Sequence, residues 1–316
     1  MFDLVAIGEL LIDFTPCGLT DEGAQRYAQN PGGAPANVAV AASRLGLSSS
    51  FIGRVGKDSF GSFLRDTLIH NGVGTASLAV DDAIPTTLAI VSVTPQGERS
   101  FTFYRKPGAD IRLTWADVDE NLLQQGHFMH FGSVALAGEP SRSTVLRAAQ
   151  YARDHGAIIC YDPNYRPPLW DSEAEALQYM TEGLKLADII KVSDEEMLLL
   201  TGEQDCESGS RALAQYGADL VLVTLGEKGA FFRLGECCGS VPGYKVAVAD
   251  TNGAGDTFLG AMLYCLRGMD RQAIRSLTAE QLAGFVAFAT RAASLTTSRP
   301  GAIPAMPTLD EVLAAR

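Results

Sequence analysis

The chain has 316 residues, 47% of them hydrophobic and 20% charged, enough to bury a sizeable core in one large domain or two. Its formal net charge of −12 argues against a nucleic-acid or anionic membrane surface as the main partner, while leaving room for a local anion site. Six scattered cysteines lack Cys-x-x-Cys or Cys/His spacing, which excludes a zinc or disulfide framework and points to reduced thiols in a reducing compartment.

Residues 5–14 read as a buried strand, not a signal peptide, since Asp3 and Glu9 intrude and no basic segment precedes them; the strand end carries Asp13. A loop leads to Asn-Pro-Gly-Gly-Ala-Pro-Ala-Asn at 30–37, ahead of a helix at 38–45 closed by Gly46. A strand at 51–55 and a helix from Ser59, ended by Asn71-Gly72, follow. Residues 86–94 and 99–106, rich in β-branched and aromatic residues, flank Pro95-Gln96-Gly97-Glu98 and predict a hairpin. In its second strand Phe101, Phe103 and Arg105 share one face. The two phenylalanines read as plain core or, because a hairpin inserted among βα units tends to form a flap or an edge, as its inner face.

Beyond Asp117 strands and helices alternate. Strands are predicted at 127–132, 157–161, 189–192, 220–224 and 230–233 and near Val246, and helices at 140–155, 172–186, 194–200, 212–216 and 279–295. Adjacent Cys237 and Cys238 fit opposite faces of a strand. Repeated βα units predict an α/β fold, a mostly parallel sheet with helices on both faces and ligands beyond the carboxyl ends of its strands. With no linker and no repeat, residues 1–316 are expected to form one domain with a small β flap. No run reaches membrane-spanning length, so a soluble cytoplasmic protein is expected.

The most telling stretch is Asp-Thr-Asn-Gly-Ala-Gly-Asp at 250–256, before an apolar segment in which Phe258, Met262, Leu263 and Leu266 recur at helical spacing. A glycine turn feeding a helix leaves backbone N–H groups unpaired at the positive end of the helix dipole, which makes an anion site. Asp256 is a carboxylate where repulsion would exclude one if holding phosphate were the only task. A base beside an anion hole suggests phosphoryl transfer to a hydroxyl, although a dipole-stabilised carboxylate fits the same pattern. There is no P-loop motif, and Phe258 stands where a dinucleotide fingerprint needs its third glycine. H-E-x-x-H and G-x-S-x-G are absent too.

In these residues the chain resembles the ribokinase-like (PfkB) sugar kinase family, and its fructokinases most closely. Gly-Gly-Ala-Pro-Ala-Asn at 32–37 matches the family's N-terminal glycine pair and Asn, and residues 250–256 match its D-T-x-G-A-G-D signature in full. Further matches at 99–110, 162–170, 191–196 and 224–229 extend along the chain. The resemblance implies a three-layer α/β/α fold with a β lid from roughly 12–36 and 84–107. It implies an ATP-dependent kinase acting on fructose, with ketodeoxygluconate kinase, ribokinase and nucleoside kinase as neighbouring readings and a non-catalytic sugar sensor as one of a different class.

The same resemblance implies that Asp256 is the base and that Gly253, Ala254 and Gly255 form the anion hole. Asp13, Gly32, Gly33 and Asn37 would hold the sugar, and Phe101 and Phe103 would close over it with Arg105. Arg166, where fructokinases and ketodeoxygluconate kinases carry an Arg, would neutralise the transferred phosphate, a structural ion pair being its other reading. Ser193, Thr224, Gly226 and Gly229 would attend the nucleotide together with Gly253 and Gly255, Ser193 standing where the family's N-x-x-E motif usually has Asn. Glu196 would organise Mg²⁺ through water, and Asp250 would bind a monovalent cation, K⁺. The partners implied are a small sugar and ATP, with no nucleic acid and no membrane, and a second copy of the chain paired through the lid.

Overall fold

The computed structural model describes residues 2–93 and 99–315; the expected turn at Pro95-Gln96-Gly97-Glu98 lies outside them. The chain opens with β1 (Phe2–Ile7) in a nine-stranded sheet and, after Gly8-Glu9-Leu10, continues as β2 (Leu11–Leu19) in a separate four-stranded sheet. The single strand expected over 5–14 is therefore two strands in two sheets. Both are apolar, so hydropathy does not reveal the break, which falls at Gly8 with a φ of 151°. β3 (Gln25–Gly32) then pairs antiparallel with β2 and runs into α1 (Ala34–Arg44). β3 lies in the stretch read as loop because its polar, mostly exposed residues show no buried alternation; only pairing with β2 makes it a strand. α1 starts four residues before the predicted 38, its early Pro35 being tolerated where no intrahelical N–H bond is lost.

β4 (Ser49–Gly56), α2 (Ser59–His70) and β5 (Val73–Asp81) return to the large sheet, β5 not having been anticipated. β6 (Leu88–Val93) and β7 (Arg99–Tyr104) complete the small one, in the order β3-β2-β6-β7. The rest alternates: α3 (Glu120–Gln125), β8 (Gly126–Gly132), α4 (Ser141–Asp154), β9 (Ile158–Asp162), α5 (Glu173–Leu186) and β10 (Ile189–Ser193). Then come α6 (Asp194–Thr201), α7 (Cys206–Ala214), β11 (Leu220–Thr224), β12 (Ala230–Leu234), β13 (Cys237–Val241), α8 (Ala254–Leu266), α9 (Arg271–Arg275), α10 (Ala279–Thr297) and α11 (Leu309–Ala314). The strand expected near Val246 is β13 instead; residues 242–248 are irregular, with Gly243 wedged against the Glu227 backbone. The helix expected at 212–216 is α7, which lies earlier.

The large sheet runs β13-β12-β11-β10-β9-β8-β1-β4-β5 and is parallel from β11 through to β5. Alternate residues of its strands feed opposite cores: Val5, Met129, Ile159 and Tyr161 one, Leu4, Phe128, Ile158 and Cys160 the other. Cys237 and Cys238 likewise pack against different cores. Among the described residues no helix is long and apolar enough to cross a membrane.

Candidate active site

Residues of the small sheet, among them Asp13, Phe101 and Phe103, line one open cleft together with Asn37, Arg166 and Asp256. Its floor is the start of α8. Gly253 precedes the helix with a left-handed φ of 75°, and a Cβ there would stand 2.9 Å from the Ala302 Cβ. Asp256 follows in the first turn, buried and lining the cleft. α8 crosses α1 at Gly260, where a Cβ would lie 2.8 Å from the Ala41 Cβ. That close approach lets Asn37 Nδ2 donate to Asp256 Oδ2 at 2.8 Å, between residues 219 positions apart. Burial pushes the Asp256 carboxyl up to about 6, with nearby Asp162 adding to the shift and Asn37, Lys191 and Arg166 opposing it.

Asp13 reaches the cleft from β2. Desolvation pushes it up to about 7, against the pull of Arg166 and with Asp256 and Asp250 adding like charge. Gly32 does not line the cleft; a Cβ there would collide with the Asp13 carboxylate, so its bareness makes room for Asp13. Gly33, with a φ of 110°, lies against the Glu9 carbonyl, where no side chain fits. Phe101 and Phe103 of β7 stack with centroids 6.1 Å apart and line the lid side, and the Arg166 guanidinium lies 5.7 Å from the Phe101 ring. Arg105 departs from expectation. β7 ends at Tyr104, so the strand's alternation no longer aims the next residue; Arg105 is buried, with Nε and Nη2 at 2.8 and 2.7 Å from Asp110 Oδ2. A buried guanidinium needs such a partner, and Arg105 does not line the cleft.

Behind α8, Lys191 of β10 pairs with Asp162 of β9 at 2.8 Å, both buried. Its Nζ lies 2.8 Å from where a Gly255 Cβ would be, so that glycine lets an ammonium approach the helix start. Glu196 accepts the Tyr165 N–H at 2.7 Å on one oxygen and the Ser193 N–H at 2.8 Å on the other, while Ser193 Oγ accepts the Glu196 N–H. Ser193 is thus the N-cap of α6 in a capping box. Thr224, Gly226 and Gly229 sit at the end of β11, one strand over, and do not line the cleft; Gly226 (φ 57°) and Gly229 (φ 103°) shape the turn into β12. Asp250 accepts the Asn252 and Gly301 N–H groups at 2.9 and 3.0 Å, tying two loops together. Among the described residues no group of three or more His, Cys, Asp or Glu is placed to hold a metal.

Sequence reasoning had not marked Glu9, Asn164 and Asn252 of the cleft lining, nor Lys191 behind α8, as site residues. Two left a signal: Glu9 interrupts an apolar run, and Lys191 interrupts Ile-Ile-Lys-Val in a central strand.

The family model described as pfkB family carbohydrate kinase matches residues 1–309. Fructokinase-2 of Solanum lycopersicum is 41% identical over 313 residues, 98% of this chain and 94% of its own. The structure of a fructokinase from Xylella fastidiosa with bound ATP superposes with a TM-score of 0.92 at 34% identity, covering 99% of this chain and 98% of that one. A fructokinase double mutant from Vibrio cholerae O395, in a form with fructose, ADP and potassium ion bound, gives 0.89 at 36%, with coverage of 99% and 98%.

Proposed function

The chain belongs to the pfkB family of carbohydrate kinases, and we propose that it transfers the γ-phosphoryl group of ATP to a hydroxyl of fructose. The observation that carries this reading is the placement of Asp256, a buried carboxyl held by Asn37 at a helix N-terminus inside a cleft of hydroxyl-binding groups. Asn37 occupies one oxygen, and the other would take the sugar hydroxyl. A carboxyl near 6 is mostly ionised at neutral pH and still basic enough to take the hydroxyl proton as the phosphoryl group transfers. The N–H groups around Gly253, Ala254 and Gly255 face the moving phosphoryl group, with Lys191 behind them and Arg166 across the cleft adding positive field. Phe101 and Phe103 shield the reaction from water.

Among the lining residues three carboxyls, Glu9, Asp13 and Asp256, face a single guanidinium, Arg166, because Arg105 is held by Asp110. That balance favours a neutral sugar over ketodeoxygluconate, whose carboxylate would meet like charge. Magnesium would arrive with the nucleotide and neutralise phosphate charge; Glu196, both of whose oxygens already accept backbone N–H groups, would hold it through water. Thr224, Gly226 and Gly229 would support the nucleotide, and Asp250 with its two tied loops would hold potassium. Leu19, Tyr27 and Tyr104 are exposed on the small sheet, and we place a homodimer contact there, in a protein of the cytoplasm.

A panel assay of ATP consumption with fructose, ribose, ketodeoxygluconate and adenosine tests the reading; the highest kcat/KM is expected for fructose. A preference for ketodeoxygluconate would move the assignment to acid-sugar kinases. Sugar binding without any phosphorylation would make the protein a sensor.

A further inference from the structure

Glu9 occupies the crossing between β1 and β2, where the chain leaves the large sheet for the lid, and is 2% exposed. It lines the cleft together with Asp13, Gly33, Asn37 and Asp256. Its Oε1 accepts the N–H of Ala34, the first residue of α1, at 2.9 Å. Its Oε2 is buried and has no well-formed hydrogen-bond partner among the described residues, although the Glu9 N–H and the Arg105 guanidinium act on the carboxyl from nearby, and Asn37 Oδ1 on the same cleft is unpaired too. A buried acceptor left unpaired is costly, and two of them on one cleft wall match the hydroxyl donors of a polyol.

We propose that Glu9 is a further substrate-binding residue, its Oε2 accepting a sugar hydroxyl on the side of the ring turned toward the start of α1, with Asn37 Oδ1 accepting a second. The proposal rests on the sugar kinase reading above. Because Oε1 pins Ala34, the contact also joins the sugar to the helix that carries Asn37, and through Asn37 to Asp256. Acceptors of this kind suit a neutral hydroxyl and repel a carboxylate, in keeping with the charge balance of the cleft.

Glu9→Gln retains the shape and an acceptor for Ala34 while exchanging Oε2 for an amide NH₂. Steady-state kinetics of the wild type and this variant are compared with fructose and its monodeoxy analogues. A rise of tenfold or more in KM for fructose is expected, larger than any fall in kcat, with KM for ATP within twofold. One monodeoxy analogue should lose tenfold or more in kcat/KM with the wild type and less than twofold further in Glu9→Gln, as required if that hydroxyl and Glu9 are partners. An unchanged fructose KM, or equal penalties for each analogue in both proteins, overturns the proposal. Glu9→Met removes the Ala34 bond as well; a loss seen in it alone would make Glu9 only the anchor of α1 and would likewise overturn the contact. Should the wild type turn over another sugar of the panel, the fructose assignment falls, while the same comparison with that sugar's deoxy analogues still decides the role of Glu9.

Discussion

The two sheets that close on the cleft are built by opposite rules. The central strands of the large sheet, β9, β10 and β11, are buried almost throughout, and helices seal both faces. They hold the buried Asp162–Lys191 pair behind α8. The lid is thin: β3 is mostly exposed, and the lid's inner face presents Asp13, Phe101 and Phe103 to the cleft rather than to a core. On the function proposed above, this difference puts the chemistry on the deeply buried side and capture of the sugar on the thinner side. A yielding sheet can open and close on its ligand at low cost, whereas a catalytic base must not wander.

The largest effect is expected on the deeply buried side. Asp256→Asn removes the base while keeping the shape and should lower kcat by about 10³-fold or more, with sugar and ATP binding retained by calorimetry. Near-normal turnover would dismiss the base assignment. The same variant should be more stable than the wild type at pH 8. The folded carboxyl of Asp256 is raised from 3.8 to about 6, so its contribution to stability is fully present below about 4 and lost as pH rises through 6. Denaturant titrations from pH 4 to pH 8 are expected to show the variant's advantage growing with pH, small at pH 4 and reaching about 1–3 kcal/mol at pH 8.

Asn37→Ala should be milder, with kcat down about 10- to 100-fold, because the base remains but loses its orienting partner. It also carries a sign. The Asn37 hydrogen bond lowers the Asp256 pKa, so removing it should move the acidic limb of the kcat profile upward from about 6. A limb that moves down, or stays, would show that Asn37 serves the sugar alone. The smallest change is expected in the lid: Phe101→Ala should raise KM for the sugar about tenfold and let more ATP be lost to water per sugar phosphorylated, with kcat falling less than in Asn37→Ala. A product-to-ADP ratio unchanged from the wild type would remove the water-excluding role.

Legibility followed the same division. The βα alternation from residue 126 to β12 was readable because its strands are short apolar runs and some of its helices end at a glycine, such as Gly202 after α6. β3 was not, since nothing in Gln-Arg-Tyr-Ala-Gln-Asn points to one face; its strand character comes from β2 alone. Arg105 misled for a related reason: alternation predicts direction only while the strand lasts, and β7 stops one residue short. Ser193, a departure from the family pattern in sequence, is accounted for by a capping box whose other half is Glu196.

By itself the sequence determined the α/β class and the glycine turn that opens a helix at 253–256 with a carboxylate in its first turn, because these depend on local spacing and backbone conformation. Only the tertiary structure decided which groups meet. The helix crossing at Gly260 sets Asn37 on Asp256, the break at Gly8 sends Glu9 to the cleft wall, and the Asp110 pair withdraws Arg105 from it. Those outcomes rest on contacts between residues far apart in the chain, and on the demand that each buried charge find a partner, neither of which leaves a periodic trace in the sequence.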